Sequence, residues 1–216
     1  MKKIIAFLMA ALMLCSLAAC GSKTTGEKNT DPSKNQAAVN TNASPEELEA
    51  AIAKALGEGY LAKVTVPEEE LFLSPVGRLD MENVESYVAK QSENTSLDMD
   101  TVAVVKCKSG YADEAVKLFN EAYAQTVSYI RQYPFGVAKV EGARIYKLGD
   151  TVIYVIAGAR AGENASAEDE AKLALTEYEK IDNAIKGVWG TLPENLAVVT
   201  EPDQNSNGGD SGFIGG

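Results

Sequence analysis

The stretch ARIYKLGDTVIYVIA, residues 143–157, decides how the rest of the chain is read. Two β-rich runs flank Gly149-Asp150, and a two-residue loop opened by Gly fits a tight hairpin turn that requires positive φ. Side chains alternate across a strand. Pairing Leu148 with Thr151 therefore puts Tyr146, Leu148, Ile153, Val155 and Ala157 on one face, and Ile145, Val152, Tyr154 and Ile156 on the other. Both faces are apolar, so both require cover.

Working upstream, residues 111–132 repeat apolar groups at Ala112, Ala115, Val116, Phe119, Ala122, Tyr123, Val127 and Ile130, which predicts a long amphipathic helix ended by Pro134 and Gly136. Thr101 to Lys108 and residues 84–91 (VESYVAKQ) predict two more strands, separated by a polar loop at 92–100, and Asp80 caps a single turn before them. Cys107 falls on the same strand face as Ala103 and Val105 and is expected to be buried as a small apolar residue, not reactive. Ser44-Pro45-Glu46-Glu47 is a helix start, with Ser as N-cap, Pro at the first position and Glu at the third, so a short helix is predicted over 45–56 and stopped by Gly57. Leu71 to Leu73 forms a further apolar patch. Downstream, Ser166-Ala167-Glu168-Asp169 caps a last long helix, its stripe Ala171, Ala174, Leu175, Tyr178, Ile181 and Ile185, with Gly187 as terminator.

The element order predicts an α+β fold: a two-layer domain over residues 44–200, with an antiparallel sheet of about four strands, two long helices on one face and a short N-terminal helix. That arrangement leaves Ile145, Val152, Tyr154 and Ile156, joined by Val102 and Val104, in need of a second cover. Either the helix at 45–56, Leu71 to Leu73 or Leu196 to Val199 supplies it, or these residues form a partner-binding face. The tail, 201–216, is rich in Gly, Ser, Asn and Asp and is expected to be disordered.

The N-terminus carries the most specific signal. Lys2 and Lys3 precede an apolar run, Ile4 to Ser16, that is too short to span about 30 Å of hydrocarbon as a helix. Leu17-Ala18-Ala19-Cys20 follows, with Gly21 behind it. This is similar to a bacterial lipobox, in which Leu17, Ala18 and Ala19 admit the lipoprotein signal peptidase and Cys20 is lipidated. The alternative is an ordinary signal peptide with a Cys after its cleavage site. On the lipobox reading residues 1–19 leave, Cys20 anchors the protein to the outer face of the cytoplasmic membrane, and residues 21–43 form a polar tether. Cys107 is then the one remaining thiol, and the body holds together without a disulfide.

VESYVAKQ, DTVAVVKCKSGYADEAVKLF, the Tyr133-Pro134 pair and ARIYKLGDTVIYVI, on an exported chain with a lipobox-like Cys20, resemble a family of small Firmicutes lipoproteins catalogued as domain of unknown function 4358. The resemblance covers about residues 60–160. It implies a lipoprotein of a Gram-positive cell surface and brings no activity, ligand or catalytic residue with it. The helix after residue 166 and the Gly-rich tail extend past it.

Composition narrows the chemistry. The 216 residues contain no His, which removes Ser-His-Asp and Cys-His nucleophiles and His-ligated metals. A net charge of −11 repels phosphate backbones and speaks against a nucleic-acid partner. Asp203-x-Asn205-x-Asn207-Gly208 is half of a calcium-loop pattern, but Ile214 stands where the bidentate Glu belongs, so no metal is expected. Glu68-Glu69-Glu70 reads as a solvated surface, since adjacency in sequence gives neither the apolar pocket nor the fixed separation that paired catalytic carboxylates need. The expectation is a noncatalytic, membrane-tethered extracytoplasmic module without a cofactor, binding an envelope protein, cell-wall or small-molecule partner. An envelope enzyme using carboxylates or an unrecognised metal is the alternative.

Overall fold

Ser44 opens the first helix as its sequence dictates: its side chain accepts a hydrogen bond from the Glu47 N–H at 3.2 Å, and α1 runs Pro45–Leu56. The computed structural model describes residues 38–95, 98–133, 136–162 and 164–199. Leu17, Ala18, Ala19 and Cys20, the tether up to residue 37, Pro134 and the whole tail with its calcium-loop pattern lie outside the described residues. After α1 come β1 (Val64–Thr65), β2 (Val84–Gln91) and β3 (Thr101–Cys107), then α2 (Ala112–Ile130) and α3 (Val137–Glu141). The chain continues through β4 (Arg144–Leu148) and β5 (Thr151–Ile156) into α4 (Ala167–Trp189).

The class is α+β, and the strands form one antiparallel sheet in the order β1-β2-β3-β5-β4. Five strands replace the expected four, the extra one being the two-residue β1 on the β2 edge. The predicted hairpin is present, with Leu148 opposite Thr151 and Gly149 at φ 58°. All six residues of β5 are buried, so the strand is covered from both sides.

That double cover overturns the expected layering. The two long helices lie on opposite faces and the domain has three layers. On one face Phe119, Tyr123, Val127 and Ile130 of α2 pack on Ala103, Val105, Ile145, Val152, Tyr154 and Ile156. On the other, Leu48, Ile52 and Leu56 of α1 join Tyr178, Ile181, Ile185 and Trp189 of α4 over Val102, Val104, Tyr146, Ile153 and Val155. Each apolar face of the central hairpin thus receives its own long helix, as the burial of apolar area requires.

Two further expectations are corrected here. Val102 and Val104 do not share a face with Tyr154, because the register sets Val102 opposite Val155 and Val104 opposite Ile153, and cross-strand partners point the same way. The proposed partner face is core: Ile145, Val152, Tyr154 and Ile156, like Val102 and Val104, are at most 1% exposed. Leu71 and partly buried Leu196 help cover the α2 face, whereas Phe72 and Leu73 stay exposed. Cys107 is buried among Ala103 and Val105, and burial pushes its thiol up to about 11.

Both ends of the described body are stitched to the sheet or its helices. Packing begins ahead of residue 44, since Ala43 is buried and the Asn40 N–H donates to the Trp189 carbonyl at 2.9 Å. At the other end Leu196 N–H donates to the Ile145 carbonyl at 2.8 Å, and the Asn195 side chain accepts from Ile145 N–H at 2.9 Å and donates to the Ala143 carbonyl at 3.0 Å. This strap occupies the free edge of β4, which an unprotected sheet would otherwise offer to other chains.

Candidate functional site

Antiparallel pairing of β3 with β5 sets Thr101 opposite Ile156, so the loop entering β3 and the loop leaving β5 meet at one end of the sheet. The end of α2, the short α3 and the first turns of α4 close around them. Between these segments lies a cavity of about 490 Å³. Ile130, Val140, Leu173 and Ala174 supply apolar wall, Tyr129 and Tyr133 supply aromatic rings, and Asp98, Lys139, Arg160 and Glu170 supply charge.

Lys139 is the centre of the polar part. Its neighbours Val137, Ala138 and Val140 belong to an apolar run, and α3 carries the lysine inward, where it is 8% exposed. Its ammonium donates to Asp100 Oδ2 at 2.7 Å and to the Gly158 carbonyl at 3.2 Å, with Asp98 Oδ1 at 4.0 Å. Asp98 in turn takes Arg160 in a two-pronged contact, Nε to Oδ1 at 3.0 Å and Nη2 to Oδ2 at 2.5 Å. The backbone of α3 is fixed from the opposite layer by the Tyr178 hydroxyl, which donates to the Lys139 carbonyl at 2.7 Å.

Asp100 is fully buried, and its Oδ1 has no hydrogen-bond partner. Burial pushes its carboxyl up from the ordinary carboxylate range to about 6, even though Lys139 pulls it down. A buried ion pair is a poor way to gain stability, because desolvation of two charges offsets most of their attraction. Placed beside a cavity, a perturbed carboxylate and its lysine instead mark a candidate binding site. Asp100 also borders a second, more open hollow of about 370 Å³ beside Phe72, Leu73, Arg78 and Tyr154, so the ion pair is the wall between the two.

Glu177 stabilises the exit from β5. It is buried, its Oε2 accepts from Ala159 N–H at 3.1 Å, and its Oε1 accepts from Lys180 at 2.6 Å. Gly158 is needed there: it sits at φ 142°, and a Cβ would lie 2.8 Å from the Glu177 Cβ. Glu170, about two helical turns before Glu177, has no such partner; its Oε1 is buried at the cavity without a hydrogen bond.

None of the charged site residues stood out in the sequence, where 92–100 and the stretch after Ile156 read as polar loops. The signal available was a lysine set within Val-Ala-Lys-Val, too polar for its surroundings unless paired. Of the residues that did stand out, Cys107 and the six of the supposed partner face are core, and Glu68, Glu69 and Glu70 are exposed. Among the described residues no three His, Cys, Asp or Glu side chains are grouped to hold a metal ion.

No curated protein and no solved structure matches the chain. The match to a known family starts ahead of β2, ends with β5 and takes in Asp98, Asp100 and Lys139, leaving Arg160, Glu170 and Glu177 beyond it. Residues 77–157 match the family model described as Domain of unknown function (DUF4358), the family that the sequence resembles.

Proposed function

We propose that the protein is a noncatalytic, lipid-anchored module of the cell envelope that binds a small molecule in the cavity between α2, α3 and α4. The anchor is argued from the lipobox-like Leu17-Ala18-Ala19-Cys20 behind a short apolar run. Among the described residues no helix is long and apolar enough to cross a membrane, so attachment on this reading rests on the lipid. Small-molecule binding is supported by one observation above all: a cavity of about 490 Å³, within the roughly 300–1,000 Å³ of typical ligand pockets, with a buried Lys139–Asp100 pair in its wall. A protein-binding sheet face, the competing form of the interaction reading, lost its basis once both faces proved to be covered.

The test is a fragment screen of the purified full chain by NMR, with neutral and charged aromatic compounds, following the amides of Val140, Ala159 and Ala174. Saturable shifts in the wild type, lost in Ala161→Trp where an indole fills the cavity, are the expected result. Shifts that survive Ala161→Trp unchanged, or none up to millimolar concentrations, overturn the assignment.

A further inference from the structure

We infer that the ligand is an organic monocation with an aryl-sized apolar body, its ammonium group held by Glu170; this deepens the small-molecule reading and rests on it. Lys139 is held by Asp100 at 2.7 Å with Asp98 at 4.0 Å, and Arg160 is held by both oxygens of Asp98. Neither cation is left to receive an incoming anion.

Glu170 is the opposite case. It lines the same cavity from the first turn of α4, its Oε1 is buried, and that oxygen has no hydrogen-bond partner. A buried acceptor left unmade costs free energy, and a charged N–H donor satisfies it with a charge-assisted bond roughly twice as strong as a neutral one. Among the described residues Asp100 pairs with Lys139 and Asp98 with Arg160, which leaves Glu170 as the lining carboxylate with no paired cation. One positive charge on the ligand balances it.

The rest of the cavity describes the ligand's body. Tyr129 and Tyr133 stand with ring centroids 5.0 Å apart, tilted at 49°, and both line the cavity while remaining about 40% exposed. Their π faces attract a cation and stack with an aromatic ring. Ile130, Val140, Leu173 and Ala174 offer apolar surface beyond them. The acidic chain as a whole, at −11, favours cations in its vicinity.

Three probes with one carbon skeleton separate charge from shape: phenethylammonium, 2-phenylethanol and phenylacetate, titrated into the purified full chain and read by NMR shifts. The cation is expected to bind about tenfold tighter than the alcohol, with the anion weakest. Glu170→Gln, which keeps the side-chain shape on an accessible helix turn, is expected to erase the gap between cation and alcohol. An alcohol or anion that binds as tightly as the cation, or a gap that survives Glu170→Gln, overturns the inference while the small-molecule reading stands. If none of the three binds, this inference falls, and the fragment screen with its Ala161→Trp control decides the small-molecule reading.

Discussion

Asp100 shows how much a single side chain determines here. Its carboxyl lies well above the ordinary value of 3.8, at about 6, so between those values the native chain holds a proton that the unfolded chain has released. The stability this group contributes is therefore complete below about pH 4 and disappears as pH rises through 6. Between pH 5 and 7.5 the loss is on the order of 1 kcal/mol. Urea unfolding of wild type and Asp100→Asn across that range should show the wild type losing about this much relative to the variant; a wild type that gains on the variant as pH rises would contradict the assignment. Residues of this kind were not legible in the sequence, because an aspartate in a polar loop looks solvated until the fold places Lys139 against it. Cys107 was legible, since alternation within its own strand sufficed to put it with Ala103 and Val105. Val102 and Val104 were not, because alternation fixes the parity of one strand but leaves open which parity of its neighbour it meets.

At the scale of elements, local signals did their work and long-range ones were missing. The caps Ser44 and Ser166 each accept the expected hydrogen bond, and α1 and the β4–β5 hairpin have the limits their sequences imply. The end of α4 departs from its local signal. Gly187 does not stop the helix, which runs on to fully buried Trp189 and is closed by Gly190 in the left-handed region. The apolar surface that Trp189 buries against α1 and the sheet outweighs the roughly 1 kcal/mol that one glycine costs inside a helix. Gly187 is exposed, and a Cβ there meets nothing within 4 Å. Gly187→Ala should therefore stabilise the protein by about 0.5–1 kcal/mol, raising its thermal midpoint. A lower midpoint would mean that the helix needs glycine there after all. The helix α3 went unread because five residues are too few to display a period, and it is the element that carries Lys139.

At the scale of the molecule, the two ends do different things. If Cys20 carries lipid, Cys20→Ala should shift the protein from the membrane pellet to the medium, as fractionation and blotting would show; an unchanged distribution would remove the anchor from the proposal. The body's class was readable from element order, whereas its layering was not, because the side a helix takes depends on how distant strands pair. The same pairing has a kinetic consequence. Inside the sheet β2 meets β3 and β4 meets β5 across short connections, and hairpins of that kind close within about 1–10 μs. Only β3 and β5 must find each other across some 50 residues of chain, and until they do neither core has its full floor. Loop-closure entropy makes that encounter the slow event of refolding. A chain stalled before it would carry two hairpins with apolar faces open to water, the state most prone to aggregate.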